Sequence, residues 1–469
     1  MLDQIDGAVK LVDGVLYQPW FVPLLLLLAG LYFSVRLRFP QFRLLGEAFR
    51  VLREKPVAPG SVSSYGALML SVASRVNPGN ILGVSAALCL GGAGAIFWMW
   101  IAAIFGAASA FVEATLAQIF KKRDEAGNCF GGPAYYMQMA LGQRWLGVLF
   151  ALLVMLAYLL GFNMLASYHA QEAFSGYAFY TGMTPLIVGG VLALLFAVCV
   201  LSGTKRLVGL LKIVVPIMTL CYLVVSLVVL FTHLSLFPQV FGSIFRSAFD
   251  FKAIFGGLTG SCLAWGIRRG ACSSEAGMGA APHAAAAADV AHPAKQGLVE
   301  MLGVYIDTLL VCTATAFLCL FSGQTPAPEA AGAAYVQSGV QSALGGFGAV
   351  FLTVSVCLFA FTSLLGNYYY VESCLRFLCR REPGKAVLLI FRVLAAALVF
   401  AGAIFSTALV HDAALLLQAL MLLCNLPVLV ILTKPAMAAL RDYEWQKRKD
   451  RLPVYRAEAN GVKTSECWK

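Results

Sequence analysis

Charge is what this sequence has least of: Asp, Glu, Lys and Arg make up 12% of its 469 residues, about half the share in an ordinary soluble domain. A soluble enzyme is excluded. Histidine is scarcer still, five in all with no HExxH pair, and none of the thirteen cysteines stands in a CxxC pair. Zinc sites and a disulfide framework are therefore disfavoured. Cys89, Cys199, Cys312, Cys319 and Cys424 lie inside apolar runs and read as small buried hydrophobes. The opening Met1-Leu2-Asp3 lacks the basic region of a signal peptide and leads into an apolar run too long for one, so it is expected to be retained as a membrane span. Disorder is excluded by 60% hydrophobic residues and a mean hydropathy of +0.81, since unfolded chains combine low hydrophobicity with high net charge.

What is present is a succession of long apolar runs, the mark of an all-α polytopic membrane protein. At roughly 20 apolar residues per crossing, the chain holds about ten to twelve spans in one domain. Turn and charge signals place eleven transmembrane helices near 16–34, 63–90, 94–120, 145–170, 184–203, 212–232, 253–282, 297–322, 347–375, 386–406 and 413–433. The segments between them alternate in basic content. Residues 35–62 carry Arg36, Arg38, Arg43, Arg50, Arg53 and Lys55, whereas 171–183 and 323–346 carry no Lys or Arg. Of 34 basic residues, 27 fall on the side that holds Arg36, Lys121, Lys205, Arg380 and the C-terminal tail; Lys10, Arg246 and Lys252 fall opposite. By the positive-inside rule the N-terminus is outside and the C-terminus cytoplasmic, which requires an odd number of spans. The same rule accounts for the net charge of +11 without a nucleic-acid partner.

Two helices are interrupted. The second meets Ala73-Ser74-Arg75-Val76-Asn77-Pro78-Gly79-Asn80, where proline removes a donor, glycine loosens the chain and two asparagines compete for backbone groups. The seventh meets polar and glycine residues from Gly266 to Gly279. Unwound backbone at bilayer depth survives only when buried in protein or lining a cavity, so both breaks are expected to face a site. Each opens a set of five helices. Five is odd, so the second set runs opposite to the first, the inverted repeat of secondary transporters with a midplane site. The expected organisation is an extra N-terminal helix and basic cytoplasmic loop over 1–62, five-helix repeats over 63–232 and 253–434, and a cytoplasmic tail over 435–469.

Half-helix N-termini attract anions, and loose carbonyls at half-helix C-termini attract cations. A zwitterionic amino acid with Na+ fits both. Amides after Asn80 and after Gly270 would meet a carboxylate, while carbonyls near Val76 and Gly79 would face the cation. The competing reading is a kinked helix packed on its neighbours. Thr362 and Ser363 add two hydroxyls at mid-depth that suit a hard cation, although such hydroxyls more often bond their own i−4 carbonyl. Charges at membrane depth are expected to face the interior or a partner. Arg75, Arg268, Arg269 and Glu275 flank the breaks as gating or structural charges. Glu113 and Asp307 are either proton carriers or carboxylates bonded to the unwound segments; the absence of a neighbouring His or Lys relay favours the second. The basic loop Arg36 to Lys55 and the tail Tyr443 to Arg456 read as headgroup-facing surfaces.

These residues carry a resemblance. Gly79-Asn80-Ile81-Leu82-Gly83-Val84, Gly94 to Trp100, Phe111 to Ala117 and Gly131-Gly132-Pro133-Ala134-Tyr135-Tyr136 resemble the alanine or glycine:cation symporter family. So do Gly266 to Gly270, Glu275 to Gly279, Gln296 to Thr315 and Tyr368-Tyr369-Tyr370, and the likeness runs from about residue 15 to 435. It implies a leucine-transporter-like core that imports a small neutral amino acid such as alanine or glycine with Na+ as coupling ion, without another cofactor, in a bacterial inner membrane. The resemblance puts Asn77, Gly79, Asn80, Asn163, Ala166, Gly270, Ser273, Ser274 and Asn367 around the substrate, and Val76, Gly79, Thr362 and Ser363 around sodium. The chain departs from the family pattern in reading Asn77-Pro78 for Gly-Thr, Ser274 for Asn, Ala166 for Gln and Asn367 for Trp. A larger substrate or proton coupling therefore stays open. A channel would need a continuous polar pore or charged ring, which two isolated breaks do not supply. For an intramembrane enzyme the candidates are Ser273 and Ser274 beside Glu275, and a Glu without His or Lys nearby is a poor activator.

Overall fold

The computed structural model describes residues 7, 11–12, 14–18, 21–125, 127–250, 262–323, 326, 331–380, 382–405 and 408–468. Apolar composition over many consecutive turns makes the chain almost wholly helical, because every backbone group at bilayer depth must be bonded within its own segment. In order these are α1 (Val22–Arg36), α2 (Leu45–Leu52), α3 (Ser64–Arg75), α4 (Gly79–Gly91) and α5 (Gly94–Ile119). A two-residue hairpin, Lys122–Arg123 with Cys129–Phe130, leads to α6 (Pro133–Leu141). Next come α7 (Arg144–Glu172), α8 (Thr184–Leu201), α9 (Thr204–Thr232), α10 (Phe237–Ala248), α11 (Cys262–Ser274), α12 (Pro282–Ala287) and α13 (Pro293–Leu320). The chain ends with α14 (Ala333–Leu344), α15 (Gly346–Cys379), α16 (Lys385–Phe405), α17 (Ala408–Ile431) and α18 (Thr433–Arg448).

Eight of the eleven expected segments contain helices long and apolar enough to cross a membrane: α5, α7, α8, α9, α13, α15, α16 and most of α17. The other three are the short α1, the divided pair α3 and α4, and the seventh, whose residues 253–261 lie outside the described ones. The sixth helix begins at Thr204 rather than near 212: Gly203, at φ 93°, precedes it, and its first turns carry Lys205, Arg206 and Lys212 ahead of the apolar run.

The second helix divides as expected. Val76 leaves the helical region at ψ 90°, Asn77 accepts the Gly79 amide on its Oδ1 at 2.8 Å, and Pro78 precedes the first turn of α4. The seventh divides later than the sequence suggests. Helix α11 runs unbroken through Gly266 and Gly270 to Ser274, and the chain turns at Glu275 (φ 51°), Gly277 (φ 83°) and Gly279 (φ 85°) before α12. The reason is packing. A Cβ on Gly270 would stand 2.8 Å from Ala102 Cβ and 2.9 Å from Met99 O, so Gly266 and Gly270, four apart, let α11 lie directly on α5. That is the small-residue spacing of close membrane helices.

Helix α5 is the hub, with α1, α11 and α13 packed along it. Two stretches are wound as π-helix, Leu156–Phe162 within α7 and Tyr305–Cys312 within α13. The basic loop and tail are not a plain lipid-facing surface: Glu47 accepts the Tyr443 hydroxyl and pairs with Lys447 at 3.2 Å, and Arg43 meets Glu444 at 2.7 Å.

Candidate transport site

Polar residues that lie far apart in sequence converge where the two breaks meet. Asp307, on the π-helical turn of α13, is fully buried. Its carboxylate accepts Asn80 Nδ2, Ser273 Oγ at 2.6 Å and Thr308 Oγ1 at 2.7 Å. Arg269 Nη2 donates to Asn80 Oδ1 at 3.1 Å. One carboxylate thus ties the start of α4 to the end of α11, which is the arrangement of carboxylates bonded to the broken segments. A π-turn inserts a residue and re-aims the side chains after it, and such turns cluster at functional sites.

A second network crosses the other side of the first break. Ser74 Oγ donates to Asn367 Oδ1 at 2.6 Å, and Asn367 Nδ2 donates to Asn163 Oδ1 at 2.9 Å. Gly366 permits this approach, since a Cβ there would lie 2.7 Å from the Ser74 amide nitrogen. Helices α3, α15 and α7 are joined through three side chains. Ala166 lies beside this network on α7, also buried.

The second break is held by carboxylates. Glu113 Oε2 accepts the Gly279 amide at 3.2 Å, and Glu275 Oε1 accepts the Tyr158 hydroxyl at 2.8 Å. Asn425 donates to Gly277 O at 2.9 Å and in turn accepts the Tyr136 hydroxyl. Arg75 forms a wholly buried pair with Glu300 at 3.3 Å, and Ser71 and Gln296 also donate to that carboxylate. Arg268 holds its guanidinium 4.4 Å from the centroid of the Tyr17 ring.

Among the expected substrate residues, Asn80 and Ser273 share the Asp307 network and Asn163 and Asn367 the Ser74 network. Asn77 caps the first break, Ser274 ends α11, and Gly270 is a packing contact rather than the start of an unwound segment. For the expected sodium ligands, Val76 is the extended residue of the break, but Gly79 is the first residue of α4, so its carbonyl points into the helical ladder. Thr362 donates to Leu358 O at 3.0 Å and Ser363 to Ala360 O at 2.9 Å, the local bonding that competed with the ligand reading.

Ser74, Glu300, Thr308, Tyr158 and Asn425 were missed by the sequence reading. For Glu300 a signal existed: Gln296, Glu300, Gly303 and Asp307 fall on one face of a 3.6-residue helix. The partners of Tyr158 and Asn425 are set by tertiary packing and leave no such pattern.

At the basic end of the bundle a cavity of about 490 Å³ is lined by Val62, Asn128, Lys205, Ala287, Tyr369 and Glu372 among others. At the other end Leu82, His169, Gln337 and Thr353 close around a crevice of about 10 Å³.

Residues 2–457 match the sodium:alanine symporter family. The chain belongs to that family. It is therefore one of a family of transmembrane amino-acid symporters and not an enzyme. The chain is 42% identical to the probable sodium/glutamine symporter GlnT of Bacillus subtilis, over 99% of this chain and 96% of that one. It is 41% identical to the amino-acid carrier protein AlsT of the same organism, over 94% and 93%. Among solved structures, the manganese transporter of Eremococcus coleocola shares the fold at a TM-score of 0.51 and 13% identity, covering 86% of this chain and 81% of that one.

Proposed function

We propose that this symporter imports a small neutral amino acid together with Na+ by alternating access, the two five-helix sets rocking about a site between the breaks at Val76–Pro78 and Glu275–Gly279. The observation that carries this is the Asp307 network, which ties both broken helices at one buried point. The apolar runs support eleven crossings, and the positive-inside rule supports an odd number with the basic end cytoplasmic.

Family membership and the names of the relatives support sodium and an amino acid as cargo. Val76, Thr362 and Ser363 are the proposed sodium ligands; a hydroxyl that donates to its own helix keeps its oxygen lone pairs for a cation. No further cofactor is proposed. The runner-up is the same fold with proton coupling, for which Asp307, Glu113 and Glu275 are the buried carboxylates.

The test is uptake of L-alanine into proteoliposomes under an imposed gradient of Na+ or of protons. Saturable uptake that needs inward Na+ supports the proposal. Uptake driven by a proton gradient in sodium-free buffer would select the runner-up, and linear flux would point to a channel.

A further inference from the structure

We infer that the side-chain end of this site is built for a neutral side chain that carries its own hydrogen-bonding group, a carboxamide or hydroxyl, with Asn163 and Ser167 as the residues that select it. The inference rests on the proposed function, since it takes the space between the breaks to hold an amino acid.

An amino acid held there through its ammonium and carboxylate by the broken backbones leaves only its side chain to be told apart. The network leading away from the first break runs from Ser74 to Asn367 to Asn163 and stops. Asn163 is completely buried, uses its Oδ1 to accept from Asn367, and has no partner for its Nδ2. One turn on, on the same face of α7, Ser167 is completely buried and its hydroxyl has no partner either. Ala166 between them adds only a methyl group. Two buried polar groups one turn apart, each without a protein partner, are uncommon in a folded protein.

Neither group has a partner on its own helix. Hydroxyls in membrane helices ordinarily donate to the carbonyl three or four residues back, as Thr362 and Ser363 do, yet Ser167 does not. A substrate carboxamide or hydroxyl offers a donor and an acceptor together, so it can satisfy both groups at once. An aliphatic side chain would leave them buried and unpaired. Asn163, Ser167 and Asn367 are themselves neutral, so none of them supplies the charge that a buried acidic side chain would need.

Discrimination follows from the asymmetry of hydrogen bonding, in which a buried group left unpaired is penalised more than a formed bond is rewarded. The size-matched pairs L-glutamine with L-methionine and L-asparagine with L-leucine isolate this effect. In competition with Na+-driven uptake, the amide member of at least one pair should bind about tenfold or more tightly than its apolar partner. Ser167→Ala should narrow that ratio, and Asn163→Leu, which loses the bond to Asn367 as well, should remove it. A monodisperse gel-filtration peak and a wild-type melting temperature for Ser167→Ala in detergent separate lost selectivity from lost folding. Equal affinity within both pairs in the wild-type protein would overturn the inference and leave the proposed function standing. Exclusive transport of alanine and glycine would do the same, with Asn163 and Ser167 then satisfied by water. Failure of every amino acid to enter with Na+ would overturn both.

Discussion

Arg75 ends α3 immediately before the first break and is buried to its last atom, with Glu300 at 3.3 Å and no partner for its Nε or Nη2. A charge in that position depends on its counter-ion, because desolvation has already removed its water. Replacing Arg75 by Met alone leaves Glu300 uncompensated and should destabilise the protein by about 3–5 kcal/mol, whereas Arg75→Met with Glu300→Leu should be near neutral. Thermal melts of the purified protein in detergent check this; a single variant that melts like the wild type would show that the pair holds nothing. Arg75 was legible in the sequence as a charge beside a break, but its partner was not, since 225 residues separate the two. At Thr362 and Ser363 the sequence left two readings open, and the observed local bonds leave both standing. If their oxygens bind the cation, Thr362→Ala and Ser363→Ala should each raise the Na+ concentration for half-maximal uptake, with the ranking of amino-acid substrates unchanged. Unaltered Na+ activation in both variants would remove them from the site.

At the scale of helices, the two breaks teach different lessons about reading glycine. The first was legible because Asn77, Pro78 and Gly79 act locally: an Asx-type turn and a missing amide end one helix and start another whatever surrounds them. The second was misplaced because Gly266 and Gly270 look like helix breakers and instead serve contact with α5, while the turn falls to Glu275, Gly277 and Gly279. Helix propensity cannot tell a glycine that loosens a chain from one that admits a neighbour. Substitution can. Gly270→Ala would push a methyl against Ala102 and the Met99 carbonyl, so overpacking of about 1–3 kcal/mol is expected. Gly209 lies within α9 with nothing within 4 Å of its would-be Cβ, so Gly209→Ala should stabilise by up to about 1 kcal/mol through helix propensity alone. Melting temperatures that move in the same direction in both variants would defeat this distinction.

For the whole molecule, the alternation of basic loops foretold which loops share an end, and the structure gathers Lys122, Arg144, Arg376 and Arg380 around one cavity there. What the sequence did not foretell is that the tail folds back over this end. Trp468 is buried, donates to Gln118 O at 2.8 Å and lies under Lys121, while Asp442 of α18 meets His292 just before α13. Such contacts depend on shape at long range and leave no periodicity. Burial pushes the His292 imidazole below its usual value of 6.5, and its hydrogen bond holds Asp442 below 3.8. Both groups bind protons less readily folded than unfolded, so their contribution is present above the unfolded values and lost on acidification, beginning near pH 6.5 for His292. The melting temperature should therefore fall from pH 7 to pH 5, and less so in His292→Gln. An equal fall in both would place the titration elsewhere. The orientation of the bundle is tested separately, because a transporter whose ends were exchanged would export down the gradient that is meant to drive import. With the native cysteines removed, including buried Cys374 and exposed Cys379, single cysteines can be placed at exposed Ser342 of α14 and exposed Lys385 of α16. If the basic end is cytoplasmic, Ser342→Cys should react in intact cells with an impermeant thiol reagent, and Lys385→Cys only after the membrane is opened. The reverse pattern would overturn the orientation.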